Sequence, residues 1–408
     1  MRIVFALSVL ALLGGCSRGS TSGGAPEVSA VETSAASVEV DAGFVSAAAE
    51  LAVPVVESGG ARPLASPEPA GARHDVPEGT LASGSAPGDE GRVAAFEPAL
   101  VGVKLGAFAI DALPFPNDPA AAPVLVRSQG EAARMCAERG ARLCTELEWE
   151  RACKGPDDDR FATGPVWNDA CDRAPSRCAS GFGARAMGFM REWTDSSAVW
   201  KGDAASPVVR GGPGGARRCG ARASATAGDA PAQMAFRCCH GARNDVEVAP
   251  VASRPAFRKT DLSAEDLARI FADIPELSHV RENIRLYGDP EVKGIVSRGA
   301  PRGRSEGWAA GIHFATSPIL WSPETGIELL VATGRAKKTG FVVALWTLPD
   351  GKYRFASSFL FLDDAAPVAL AYEPSRRKEL RWSACWGCAG EQGAVSLRDD
   401  GRVVIVHY

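Results

Sequence analysis

The sequence predicts an α+β fold in two parts. A disulfide-rich, loop-heavy domain comes first, followed by a mainly antiparallel β domain with a short helical start. Three observations predict it. Eight of the eleven cysteines crowd between Cys136 and Cys239, in a stretch dense in Gly and Pro. Two short runs inside that stretch carry helix-start signals. From about Trp308 onward the apolar period changes from helical to alternating, in runs separated by turn residues. The charge balance, 45 Lys plus Arg against 49 Asp plus Glu, is too even for a polyanion-binding surface. Nucleic acid is therefore not an expected partner.

The elements follow in chain order. Arg2 precedes an apolar run over 3–13 that only Ser8 interrupts. Eleven residues are too few to span a bilayer as a helix, which takes about 20, but they suit the apolar core of a signal peptide. The run ends in Leu13-Gly14-Gly15-Cys16, which resembles the lipobox of bacterial lipoproteins. That resemblance implies that residues 1–16 are a lipoprotein signal peptide and lipobox. Cys16 would carry a diacylglycerol and a palmitate-type acyl chain and become the new N-terminus. Two or more acyl chains hold a protein stably at a membrane. The expected location is the bacterial cell envelope, lipid-anchored, and Ser17 after the cysteine favours the outer membrane. Cysteines exported this way sit where disulfides persist.

Residues 17–95 are mostly Ala, Gly, Ser, Pro, Val and Glu, with no Lys, Trp or Tyr and with Phe44 as the one Phe, Trp or Tyr. Such a composition is expected to form a disordered acidic tether. All nine Trp lie at or beyond Trp149, so folded mass is expected over 96–243 and 258–408, joined by a linker over 244–257.

In the first of these domains Ser128 is placed to N-cap a helix, with Glu131 three residues on as a capping box and Gly140 as the stop. A second helix is expected from Thr145, with Glu148 as its capping partner, to Gly155. Gly and Pro then recur too often for long regular elements.

Five segments in order carry a resemblance. They are AARMCAERGARLCTELEWERACKG (132–155), MGFMREWTD (187–195), VVRGG (208–212), RRCGARA (217–223) and AFRCC (235–239). Together they resemble the formylglycine-generating enzyme and sulfatase-modifying-factor family over residues 103–240. The resemblance implies a variant C-type-lectin fold, irregular and disulfide-tied. It also implies two disulfides by position, Cys136–Cys238 and Cys153–Cys219. The CDRAPSRC spacing suits a local Cys171–Cys178 bridge, which leaves Cys144–Cys239. Eight cysteines allow 105 pairings, and a zinc site is the rival use of some of them, though the close CxxC knuckles it needs are missing.

The family's activity does not follow from the likeness. Its enzymes hold copper on a cysteine pair just after the Arg-Gly-Gly turn, because soft thiolates grip Cu(I). Here Gly212 is followed by PGGARRCGARA, with Cys219 alone. Glu192 matches an acidic calcium ligand of the family, but Arg185 stands where an Asn ligand is expected, and a cation there opposes Ca²⁺. No cofactor is therefore expected, and calcium has only part of its ligand set.

In the second domain Ser263 and Asp266 form a capping box, with Leu262 as its staple, before Leu267, Ile270, Phe271 and Ile274 at helical spacing. A second helical stretch is expected over 280–286. Strands follow in GIELLVATG, GFVVALWTL, YRFASSFLFL, PVALAYE, ELRWSAC, GAVSL and RVVIVHY, with turns at PDGK (349–352) and DDGR (399–402). They are expected to form a closed or sandwiched antiparallel sheet. Cys385-Trp386-Gly387-Cys388 has the spacing of a thiol–disulfide exchange motif. The strand-like ELRWSA before it, and the glycines after it, fit a structural Cys385–Cys388 bridge in a hairpin loop better.

Lesser candidates are the acidic runs Asp157-Asp158-Asp159 and Asp363-Asp364, the basic turn Arg376-Arg377-Lys378 and the basic loop with Arg298, Arg302 and Arg304. Trp308, Trp321, Trp346, Trp382 and Trp386 are expected mostly in the core. Two readings follow. One is a membrane-anchored, non-catalytic domain that binds an unknown protein, peptide or glycan. The other is an oxidoreductase, either a formylglycine-type oxidase with an altered site or a thiol exchanger at Cys385 and Cys388.

Overall fold

Residues 60–199, 205–225, 233–248, 253–299, 312–315, 318–362, 367–384, 386 and 392–408 are described by a computed structural model. All belong to one unit of the chain, Ala48–Tyr408. The architecture is α+β and mostly strand, with a cysteine-rich module over 60–248 and a β module over 253–408.

Helix α1, Gln129–Ala137, starts where Ser128 caps it by accepting from the Glu131 amide at 3.2 Å. Glu131 reaches back one residue further than a capping box requires, to the Arg127 amide at 3.1 Å. Gly140, at φ 69°, turns the chain out of it. Helix α2, Glu146–Lys154, has the full reciprocal box between Thr145 and Glu148 and ends at Gly155.

Two small sheets carry this module. One runs in the order Arg73–Val76, Phe108–Asp111, Cys238–His240, Arg142–Leu143, antiparallel throughout. The other runs Arg222–Ser224, Ser206–Arg210, Glu192–Ala198, Ala235–Phe236, with the last pair parallel. Four disulfides brace the module: Cys136–Cys238 ties α1 to the first sheet, Cys144–Cys239 ties the loop before α2 to it, Cys153–Cys219 ties α2 to the loop before Arg222, and Cys171–Cys178 closes a local turn. The adjacent Cys238 and Cys239 point to opposite faces of their strand. One ties it to α1 and the other to the loop before α2.

The expectation of a disordered tether over 17–95 fails from residue 60 onward. Arg73–Val76 is a strand paired with Phe108–Asp111, and Gly79–Ser83 pairs with Val101–Leu105. Composition misjudged this stretch because its burial is borrowed. Val76, Leu81 and Ala82 are buried against later parts of the chain. Arg62 pairs with Asp159 at 2.6 Å and Glu68 with Arg185 at 2.8 Å. Residues 17–59 lie outside the described residues. The linker is also shorter than 244–257. Asn244 donates to Glu148 at 2.9 Å, Val248 packs on Leu81 and Leu147, and Phe257–Lys259 is already a strand.

The β module is a sandwich. One sheet is ordered Phe257–Lys259, Ile319–Trp321, Leu329–Ala336, Thr339–Thr347, Tyr353–Leu362, with Ile284–Leu286 on the far end of Leu329–Ala336. The other is ordered His313–Ala315, Ala369–Tyr372, Glu379–Ser383, Gln392–Leu397, Val403–His407. Leu329, Val331, Val342 and Ala344 face the second sheet, together with Trp321 and Trp346, and pack in one core with Trp382 of that sheet. Leu330, Ala332, Val343 and Leu345 face the other way, onto helix α3, Ala264–Ala272. Both faces of these central strands are covered, which is why they read as unbroken apolar runs.

The helix expected over 280–286 is not there. Asn283 has φ 54°, and Ile284–Leu286 is a strand. The helix comes later, as α4, Asp289–Gly299, with Pro290 inside its first turn, where a missing amide hydrogen costs nothing.

Candidate functional site

The Arg-Gly-Gly turn is where a redox pair would be sought. Arg210 ends the strand Ser206–Arg210, and Gly211 and Gly212 follow with φ of 75° and 133°. A side chain at Gly211 would sit 2.5 Å from the Met190 carbonyl, so the chain can pass there only as glycine. Residues 213–218 then form a short turn with no sulfur. Cys219 is fully buried and bonded to Cys153 on α2. Among the described residues every cysteine is in a disulfide, and all eight are buried.

Charge fills the interior behind this turn. Arg210 donates to Glu146 at 2.9 Å and to Glu150 at 2.8 Å. Glu150 also accepts from the Gly84 amide at 2.6 Å and from Ser83 at 3.1 Å, and Lys154 lies 3.2 Å away. Burial pushes the Glu150 pKa up, but Arg210 and Lys154 outweigh it and hold it below the usual carboxylate range. Burial likewise lowers Arg210, and Glu150 and Glu146 more than restore it. These groups bond to one another and to the backbone carbonyls of Ala82 and Gly84, with the Arg210 Nε left without a partner, and the network holds them in place. A second knot holds Glu97 to Arg218 at 2.6 Å, with Ser85 between them.

Glu192, the calcium candidate, is corrected by its surroundings. Its carboxylate is fully buried and takes both Arg237 nitrogens, at 2.7 and 2.8 Å, and the Trp149 indole at 3.0 Å. Both oxygens are engaged by a fixed cation, which already neutralises the charge that Ca²⁺ would need. Arg185 is buried on Glu68 and the Ser66 carbonyl. The arginines therefore stand where a metal would have to.

The lesser candidates separate in the same way. Asp157 and Asp159 pair with Arg62, and Asp158 accepts from the Ala82 amide. Arg376 pairs with Glu373 and Glu379, and Lys378 with Asp399. Trp321, Trp346, Trp382 and Trp386 are all at most 5% exposed, so none is a stacking platform. Cys16, Asp363, Asp364, Arg302, Arg304, Trp308, Cys385, Cys388 and the side chain of Arg298 lie outside the described residues. Among the described residues, no helix is long and apolar enough to cross a membrane, and no three metal-binding side chains gather.

Sequence reasoning missed a large cleft. It holds about 600 Å³ between the start of α2, the strand Glu192–Ala198 and the segments 95–98 and 243–248. Its walls are braced. The Gln129 amide donates to the Thr194 and Ser196 carbonyls at 2.7 and 3.1 Å, and the Ser196 hydroxyl accepts from the Glu146 amide at 3.0 Å. Arg222 holds Glu146 with two bonds, one of 2.6 Å, and Arg243 holds Asp195 at 2.9 Å. Its described lining comes from seven separate stretches of chain, so no local motif announces it.

No protein-family model matches the chain, and a search of curated proteins returns no match.

Proposed function

We propose that the chain is a bacterial lipoprotein, anchored through Cys16 at the cell envelope, whose cysteine-rich module binds a protein, peptide or glycan and catalyses nothing. In this reading the module is a relative of the formylglycine-generating enzymes, with their variant C-type-lectin fold, that has lost the reaction. One observation carries the non-catalytic part. The turn after Gly212 has no sulfur, and the next sulfur, on Cys219, is locked in a buried disulfide with Cys153. Copper of the family's kind needs free thiolates. The ion pairs behind the turn support the same reading, because they serve the fold and leave no group poised for proton transfer.

The test uses the full chain with Cu(I), oxygen and a thiol-bearing peptide. We expect no peptide aldehyde, detected as its oxime. Aldehyde formed in step with enzyme concentration would end the proposal. Anchoring is tested separately, by labelling with an alkyne analogue of palmitate. Label should enter the wild type and be lost in Cys16→Ser. Equal labelling of both would remove the anchor at that residue.

A further inference from the structure

We propose that a cavity where segment 88–93 meets the β module binds the anion of a small carboxylic acid with a short apolar tail. It goes beyond the binding reading above and does not rest on it. The cavity holds about 140 Å³. At about 30 Å³ per water-sized molecule, that is room for roughly five heavy atoms. Its lining comes from 88–93, 324–327, Trp346, Lys378 and 398–401, and each of these stretches lies inside a described segment.

Charge selects the sign of the ligand. Three cations, Arg92, Lys378 and Arg398, line the cavity with three carboxylates, Asp89, Glu324 and Asp399. Asp89 is met from outside the lining, by Arg160 at 3.7 Å and Arg354 at 3.5 Å. Lys378 serves both Asp399, at 2.9 Å, and Glu324, at 3.8 Å. Three lining cations then face two carboxylates, an excess of one positive charge. Arg92 donates to backbone carbonyls, those of Gly326 at 3.1 Å and Glu97 at 2.9 Å. Burial pulls its pKa below the ordinary value, and Glu97 and Asp89 offset only part of that. Arg398 is exposed, and its side chain has no carboxylate partner among the described residues.

A guanidinium without a carboxylate is ready to take one from a ligand. A single excess charge suits a monoanion, whereas a phosphate dianion would be opposed by Glu324 and Asp399. The rest of the lining suits a tail. Val93 is 46% exposed, and Ile327 and Trp346 are buried beside the cavity. Apolar walls with a few charged groups to fix orientation are the make-up of a small-molecule site.

The test titrates the full chain with sodium propanoate at constant ionic strength, followed by ligand-observed NMR. Propanamide, the same shape without the charge, and inorganic phosphate run in parallel. So small a ligand should saturate at about millimolar concentration. Propanamide should bind about tenfold more weakly, and phosphate no better than propanamide. Arg398→Gln, at an exposed position, should weaken propanoate about threefold or more and leave the thermal melt unchanged. Arg92→Met should abolish binding, and where that variant fails to fold the Arg398 variant decides. No saturation by propanoate, equal binding of propanamide, or an affinity untouched by Arg398→Gln would overturn the proposal. Phosphate saturating where propanoate does not would overturn it in favour of a phosphate ligand. None of these results bears on the aldehyde assay, which judges the non-catalytic reading by itself.

Discussion

Arg210 is a cation shared by two buried carboxylates, Glu146 and Glu150, and its removal would leave Glu146 with Arg222 alone and Glu150 with Lys154 alone. Arg210→Met should therefore cost about 3–5 kcal/mol in denaturant unfolding. Glu150→Gln, which strands the cations instead, should also destabilise. Acid gives a signed check. Glu148 and Glu150 are held below their ordinary values, Glu148 because bonds from Arg142, Asn244 and the Thr145 amide outweigh its burial. The unfolded chain binds protons at these sites more readily, with a glutamate pKa of about 4.3. Their stabilisation is therefore complete above that pH and is lost as pH falls through the folded values. Asp158 runs the other way, because burial raises it despite Lys154 and the Ala82 amide. Its ionised form is a cost at neutral pH, so Asp158→Asn should be neutral or stabilising at pH 7. Urea melts of the three variants against pH read both signs. None of this was legible in advance. A charged residue in a sequence reads as surface, and only the fold reveals that Glu192 has Arg237 for a partner rather than a metal.

Helix α2 illustrates which elements can be read from sequence and which cannot. Its caps were legible, because Thr145 and Glu148 act within one turn and need no tertiary context. Its setting was not. ELEWERACK looks like a solvated helix, yet all nine residues are buried, the charged ones each facing a partner from elsewhere in the chain. Thr145→Ala should cost about 1 kcal/mol or more, since it frees a cap on a helix that cannot relax into water. The same contrast holds for the strands. Long apolar runs in the β module were legible as strands, because turns with glycine bound them. Gly351, at φ 78°, is one. Short strands such as Arg73–Val76 were missed, since pairing with Phe108–Asp111 makes them and their own pattern does not. Two cysteine pairs, Cys136–Cys238 and Cys153–Cys219, came through a resemblance, Cys171–Cys178 came from its spacing, and Cys144–Cys239 was what remained. The double variant Cys136→Ala, Cys238→Ala leaves the same span closed by Cys144–Cys239, so it should lose only about 2–3 kcal/mol in unfolding free energy.

At the scale of the whole molecule, segment 84–98 joins the two modules. Its base is tied into the cysteine-rich module, where Arg218 holds Glu97 and donates to the Gly91 carbonyl at 2.6 Å. Its tip enters the β module. Ala94 lies in the same core as Trp346 and Ile327, and Arg92 donates to the Gly326 carbonyl at 3.1 Å. Asp89 stands between Arg160 of one module and Arg354 of the other. Gly88, at φ 84°, lies flat against Trp346, where a side chain would come within 2.6 Å of the indole nitrogen. Gly88→Val should thus split one calorimetric transition into two, and the β module expressed without residues 84–98 should be less stable than within the full chain. The central claim is that the eight cysteines of the cysteine-rich module are all paired, which leaves no free thiol there for chemistry. Alkylation of the native full chain without reductant, followed by peptide mapping, tests it most directly. The account predicts no alkylated cysteine among the eight from Cys136 to Cys239, and Cys153 recovered joined to Cys219. A native chain that takes the label at Cys219 or Cys153 would contradict it.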